Sequence, residues 1–176
     1  MGKLNRFFFL CLYYGIAYYL PPSFSKLGGA FSKWLRYQCV RWLFKECGKN
    51  VNVERKAFFG TGSEICIGDN SGMGINSMIP NGSIIGKNVM MGPNCFIHST
   101  NHNFDRLDIP MNQQGETEAL PVIIEDDVWI GQNVTIMRGR HIATGSIIAA
   151  NCVLTKDFPP YSIVGGNPGK LIKTRK

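Results

Sequence analysis

At 176 residues and 44% hydrophobic content, the chain can bury one core and needs no second module. Its net charge of +7 is uneven: residues 1–60 hold ten Lys or Arg against Glu46 and Glu54, and the remainder holds nine basic against ten acidic residues. No nucleic-acid motif accompanies that charge, which sets a nucleic-acid partner aside. Six cysteines (Cys11, Cys39, Cys47, Cys66, Cys95, Cys152) form no CxxC pair and no disulfide-like spacing, which fits free thiols in a reducing cytoplasm.

The first element is an apolar stretch from Phe7 to Leu20, preceded by Lys3 and Arg6 and stopped by Pro21-Pro22. No small-residue cleavage site follows it, and it is short of the roughly 20 residues a membrane span requires. From Ser32 to Cys47, Trp34, Leu35, Val40, Trp42, Leu43 and Phe44 alternate with Lys33, Arg36, Arg41 and Lys45. Two helices are predicted, with two readings. They cap the open end of the next element, or they rest on a membrane surface through residues 1–47, and the two are compatible.

From Ile67 onward an aliphatic residue or methionine opens each block of six: Ile67, Met73, Ile79, Ile85, Met91, Ile97. A small or turn-forming residue follows (Gly68, Gly74, Pro80, Gly86, Gly92), and the fifth position is compact, with Cys95 and later Cys152 among its occupants. The run resumes in phase at Ile124, Ile130, Ile136, Ile142 and Ile148. A period of six fits neither a helix nor a two-residue alternation. It fits a chain wound as a three-sided coil of short strands and tight corners, where Gly or Asn tolerates the corner dihedrals. Thirteen hexads counted from residue 61 give slightly more than four coils, roughly 20 Å at a strand spacing of about 4.8 Å. Residues 103–117 interrupt the phase without shifting it. They read as an excursion loop from one corner, and long loops in compact domains usually carry function.

Three segments make the pattern specific: Val89 to Asp105 (VMMGPNCFIHSTNHNFD), Asp126 to Met137 (DDVWIGQNVTIM), and Ala149 to Lys173 with its Pro-rich exit and Gly-Asn-Pro turn. From about residue 48 onward the chain resembles the left-handed β-helix O-acetyltransferases of the hexapeptide-repeat class, within them the maltose/galactoside and capsular or exopolysaccharide sugar acetyltransferases. The resemblance implies an all-β solenoid, a left-handed parallel β-helix, whose hand is not what crossover physics favours. The expected division is a helical cap or membrane-surface segment at 1–50, the β-helix with its loop at 51–165, and a tail at 166–176.

The resemblance also implies chemistry: an acetyl-CoA-dependent acyltransferase working on a hydroxyl of a sugar or surface glycan. His102 matches the family's general base, and imidazole, with a reference pKa of about 6.5, suits proton removal near neutral pH. Asp105 is a candidate to hold the other ring nitrogen. Trp129 matches the residue flanking the pantetheine arm of coenzyme A. Gly131, Ala149 and Ala150 would let that arm approach the backbone, and Thr155, Lys156 and Lys170 match positions near its phosphates. Asn76 falls near an acceptor-binding asparagine region, with a plain corner asparagine as the alternative. Met137-Arg138-Gly139-Arg140-His141 departs from the family's pattern, and Arg140 cannot point into a dry core at low cost. The family also implies a homotrimer with sites between subunits, and the basic-aromatic N-terminus suits a lipid-linked acceptor at the inner face of a membrane. Two other readings stay open: an antibiotic O-acetyltransferase, and a γ-carbonic-anhydrase-like enzyme whose zinc would need His98, His102 and His141 to converge. The acetyltransferase reading expects no metal.

Overall fold

The computed structural model describes residues 3–175. Two helices open the chain, α1 (Lys3–Gly15) and α2 (Gly29–Leu43), with a 3-10 turn at Ala17–Tyr19 between them. Short strands follow: β1 (Glu46–Cys47), β2 (Asn52–Val53), β3 (Cys66–Ile67), β4 (Gly72–Met73), β5 (Ile84–Ile85), β6 (Met90–Met91), β7 (Phe96–Ile97), β8 (Ile123–Ile124), β9 (Trp129–Ile130), β10 (Thr135–Ile136), β11 (His141–Ile142), β12 (Ile147–Ile148) and β13 (Val153–Leu154). The longer β14 (Ser162–Gly165) and β15 (Lys170–Thr174) end the chain.

The strands stack in parallel on three faces. One carries β1-β3-β5-β8-β11, the second β2-β4 and then β6-β9-β12-β14, and the third β7-β10-β13. Successive segments take the three faces in turn, Phe58 and Met78 supplying single bridges on the third, so partners lie one coil apart, as Cys66 with Ile84 and Ile84 with Ile123. The hexad aliphatics point inward: Ile67, Met73, Ile79, Ile85, Ile97, Ile124, Ile130, Ile136, Ile142 and Ile148 are all buried. β15 closes the second face by pairing antiparallel to β14.

The coil is longer than the expected four turns. Its first face has five strands, and Phe158 bridges to Ile142 as a sixth level, so it runs about 24 Å. The first turn was hidden by a slip of phase. Its inward residues Val53 and Phe59 are six apart, but the next, Ile67, comes eight later, after the turn at Gly60 and Gly62, both of positive φ.

The glycines that follow the inward aliphatics and the corner asparagines do different work. Asn70, Asn76, Asn88, Asn94, Asn133 and Asn151 all have φ between 54° and 62°, the left-handed conformation that asparagine tolerates. The hexad glycines Gly74, Gly92 and Gly131 are not among the positive-φ residues. A Cβ on Gly92 would lie 2.7 Å from the Gln132 backbone nitrogen, so these positions are glycine because the next coil's backbone passes over them. This corrects the dihedral reading for these three glycines only; at the corner position that asparagine fills elsewhere, Gly82, Gly139 and Gly145 do hold positive φ (85°, 66° and 67°).

The helices seat on the first coil. The Tyr13 hydroxyl donates to the Ala57 carbonyl (2.6 Å), and the Tyr14 hydroxyl donates to that of Gly60 (2.8 Å). Arg36 is fully buried and donates to the carbonyls of Val53 (2.6 Å), Pro21 (3.1 Å) and Ala17 (3.3 Å), with Glu54 at 3.7 Å. Burial alone would raise the Glu54 carboxyl. Hydrogen bonds from the Ser23 hydroxyl and amide and from Asn52, with the Arg36 charge, outweigh it and hold Glu54 below its ordinary value.

Candidate active site

Because the faces repeat in order, the corners stack into three edges. The edge after the second face carries Gly74-Ile75-Asn76, Gly92-Pro93-Asn94, Gly131-Gln132-Asn133 and Ala149-Ala150-Asn151. Beside it runs a groove of about 610 Å³ lined by Gly92, Pro93, Trp129, Gly131, Gln132, Ile147, Ile148, Ala149, Ala150 and Ile163. Trp129 projects outward from β9, half-exposed, and forms one wall. The other walls are short or aliphatic, so the groove fits a slender, largely apolar arm rather than a bulky ring system. Four sequence-derived positions, Trp129, Gly131, Ala149 and Ala150, therefore meet in one groove. Lys170 starts β15 opposite Gly165, on the same face, and is exposed.

His102 stands on a different edge. The excursion leaves the third face after β7 and returns at β8, and His102 bridges to Glu116 at the base of that hairpin. The hairpin is pinned from inside. The Asn103 amide donates to the carbonyls of Gln114 and Glu116, and Gln114 donates to those of Arg106 (2.7 Å) and Ile109 (3.1 Å). The His102 ring is exposed and makes no hydrogen bond among the described residues, and neither does the Asp105 carboxylate, so the fold of one chain does not couple these two side chains. Thr155 and Lys156 follow β13 on the same edge as His102, two levels on, both exposed.

Residues 121–156 match the family described as bacterial transferase hexapeptide (six repeats). A galactoside O-acetyltransferase of Escherichia coli is 33% identical over 140 residues, which span 78% of this chain and 68% of that protein. The chain belongs to the hexapeptide-repeat acetyltransferases. Among solved structures, a hexapeptide-repeat acetyltransferase of Vibrio cholerae complexed with acetyl coenzyme A is 36% identical with a TM-score of 0.73, over 80% of this chain and 76% of that one. A maltose O-acetyltransferase of Clostridium difficile is 30% identical with a TM-score of 0.77, over 99% and 90%.

Within this acetyltransferase the remaining positions divide. Asn76 sits on the groove's edge at the level of β4, below the groove itself. Its amide donates to Asn94 (3.1 Å), which donates to Asn133 (3.0 Å), which donates to Asn151 (3.1 Å). That ladder explains Asn76 by the coil alone. Arg140 stays out of the core: its guanidinium donates to the carbonyls of Arg138 (3.3 Å) and Thr155 (3.2 Å) and lies 3.4 Å from Asp157. The three histidines do not converge. His141 is on β11 with its ring 2.7 Å from Glu125, and no cluster of three His, Cys, Asp or Glu suited to a metal exists among the described residues. Gln132, Pro93, Ile147 and Ile163 line the groove but were not singled out from sequence. Gln132 had a usable signal, its place beside Gly131 in WIGQN, whereas Ile147 and Ile163 read as ordinary coil residues.

Proposed function

We propose that this acetyltransferase moves an acetyl group from acetyl-CoA to a hydroxyl of a sugar or surface glycan, with His102 as general base. The observation that carries the reading is the apolar groove in which Trp129, Gly131, Ala149 and Ala150 come together. The acetyl-CoA bound by the Vibrio cholerae relative and the sugar-acting relatives support the donor and the acceptor class. The groove would hold the pantetheine arm against Trp129, and Lys170 offers a cation to the phosphates. His102 takes the proton of the acceptor hydroxyl as that oxygen attacks the thioester carbon; the C–S bond breaks and the thiolate leaves. Base assistance with a thiolate leaving group asks for no Lewis acid.

The groove and His102 lie on different edges of one chain, and Thr155 and Lys156 share the edge of His102. A complete site therefore needs two copies, each giving a different edge, and such head-to-tail contacts close as a ring. A homotrimer suits a three-edged coil. Free thiols are consistent with a cytoplasmic setting.

The test is thiol release from acetyl-CoA against a panel of sugars, glycans and hydroxylated antibiotics. Turnover with sugars is expected, and His102→Ala should lower kcat by about 10² to 10⁴ while acetyl-CoA affinity stays within a few-fold. Near-full turnover by His102→Ala would remove the base assignment, and turnover confined to antibiotics would replace the acceptor class.

A further inference from the structure

We propose that the outer face of the helical cap is a docking surface for an anionic lipid bilayer. Leu4, Phe7, Phe8 and Cys11 recur along α1 at steps of three and four, which puts them on one stripe, and all four are exposed. The adjoining stripe, Leu10, Tyr13 and Tyr14, with Ala17 just past the helix, faces the coil. The segment is thus apolar on both sides with a partner within the chain on only one, and a helix apolar all round belongs in apolar surroundings. Phe31, Trp34 and Trp42 extend the surface along α2, and Phe9 stacks on Trp42 with ring centroids 5.7 Å apart, so the two helices present it together. Between the helices Phe24 and Leu27 are 75% and 86% exposed. So many outward aromatics on one element exceed the scatter of single apolar residues normal for a surface.

Charge names the occupant. Residues 1–45 hold seven Lys or Arg and no Asp or Glu, while residues 46–176 hold twelve of each sign, so the whole net charge of +7 belongs to the cap segment. Of these cations Arg36 is buried, whereas Lys26 is exposed in the loop beside Phe24 and Leu27. Aromatic and aliphatic side chains mixed with cations match the boundary between headgroups and acyl chains of an anionic leaflet. A second copy would bring like charge against like charge. With 13 residues α1 is about 20 Å long, and no helix among the described residues is long and apolar enough to cross a membrane, so contact lies in the plane of the surface.

In the ring proposed above, a cyclic axis puts every cap at the same end, and several weak contacts then act as one. The docking itself does not depend on that reading. An acceptor held at the membrane would be met from the cap end, where the edge bearing Asn76 begins.

The experiment is co-sedimentation of the full chain with phosphatidylcholine vesicles, with and without phosphatidylglycerol, over a range of salt. Partition into the anionic vesicles is expected to exceed that into neutral ones about tenfold or more and to fall with salt. Leu4→Ser/Phe7→Ser should weaken it about tenfold or more, and Lys26→Ala about five-fold, with oligomeric state unchanged. Phe24→Ser, outside both helices, gives the same readout should the helix variant fail to fold. No partition into anionic vesicles, or equal partition into neutral ones, overturns the proposal. So does dissociation of the oligomer by Leu4→Ser/Phe7→Ser, because that face would then be buried between copies. Vesicle binding without acetyl transfer leaves the docking standing and refutes the proposed activity, and transfer without binding does the reverse.

Discussion

A Cβ placed on Gly74 would lie 1.9 Å from the carbonyl oxygen of Gly92, one coil away. That atom belongs to the backbone of a stacked strand, so no side chain can swing aside. Gly74→Ala should therefore destabilise the coil by about 3 kcal/mol, at the upper end of overpacking costs. Gly15→Ala, where nothing lies within 4 Å and the residue ends α1, should be neutral or mildly stabilising. Urea midpoints of the two variants make the comparison.

The asparagine ladder predicts an effect of a different kind. Asn94 holds φ at 55°, donates to Asn133 and accepts from Asn76. Asn94→Ala loses both hydrogen bonds and the tolerance for that backbone, a cost of about 2 kcal/mol. Asn94→Gly restores the backbone freedom, so it should recover about half of the loss in the same urea titration.

Acid should release the cap first. Glu54 has its folded pKa held below the ordinary carboxylate value. Its contribution is present above the unfolded pKa of about 4.3 and is lost as pH falls through the lower, folded value. Thermal melts from about pH 6 downward should show a steep acid limb. Glu54→Gln should flatten that limb and cost about 2 kcal/mol at neutral pH, because the buried Arg36 guanidinium loses its countercharge.

The thiols bear on the route of transfer. Burial pushes Cys39, Cys47 and Cys95 up to about 11, and it raises Cys66 and Cys152 as well. Thiols in that state are poor nucleophiles at neutral pH, so direct attack on acetyl-CoA is expected and not an acyl-cysteine. Mass spectrometry of protein quenched during turnover should find no acetyl group on any cysteine. Iodoacetamide should modify the exposed Cys11 ahead of the other five.

Trp129 offers the complementary kinetic test. It walls the groove but stands on a different edge from His102. Trp129→Ala should raise the acetyl-CoA KM about tenfold or more with a smaller change in kcat, the inverse of His102→Ala.

The solenoid was legible because its buried positions are aliphatic at a strict spacing, and that spacing survives the 103–117 excursion. The first coil was not, because two extra residues between Phe59 and Ile67 move it out of phase. Glycine type alone did not reveal why Gly92 and Gly131 are needed; the reason is a neighbouring strand some 40 or 20 residues away in sequence. The groove around Trp129 followed from the WIGQ and AAN segments, while Ile147 and Ile163 looked like any coil residue until stacking put them beside it. Arg140 is a misfit to the hexad pattern in the sequence itself, but only the structure supplies the carbonyls of Arg138 and Thr155 that receive it.

On the proposed assignment of His102 and the groove, the separation of the two edges would make catalysis a property of contacts between copies, with no chain owning a whole site. A copy carrying Trp129→Ala still brings an intact His102, and a copy carrying His102→Ala still brings an intact groove. Refolded together and assayed at acetyl-CoA well below the KM of Trp129→Ala, the two weakened preparations should form rings in which the sound halves face each other at one junction. At that low acetyl-CoA concentration such a mixture would recover up to a third of native activity, above what either variant shows alone.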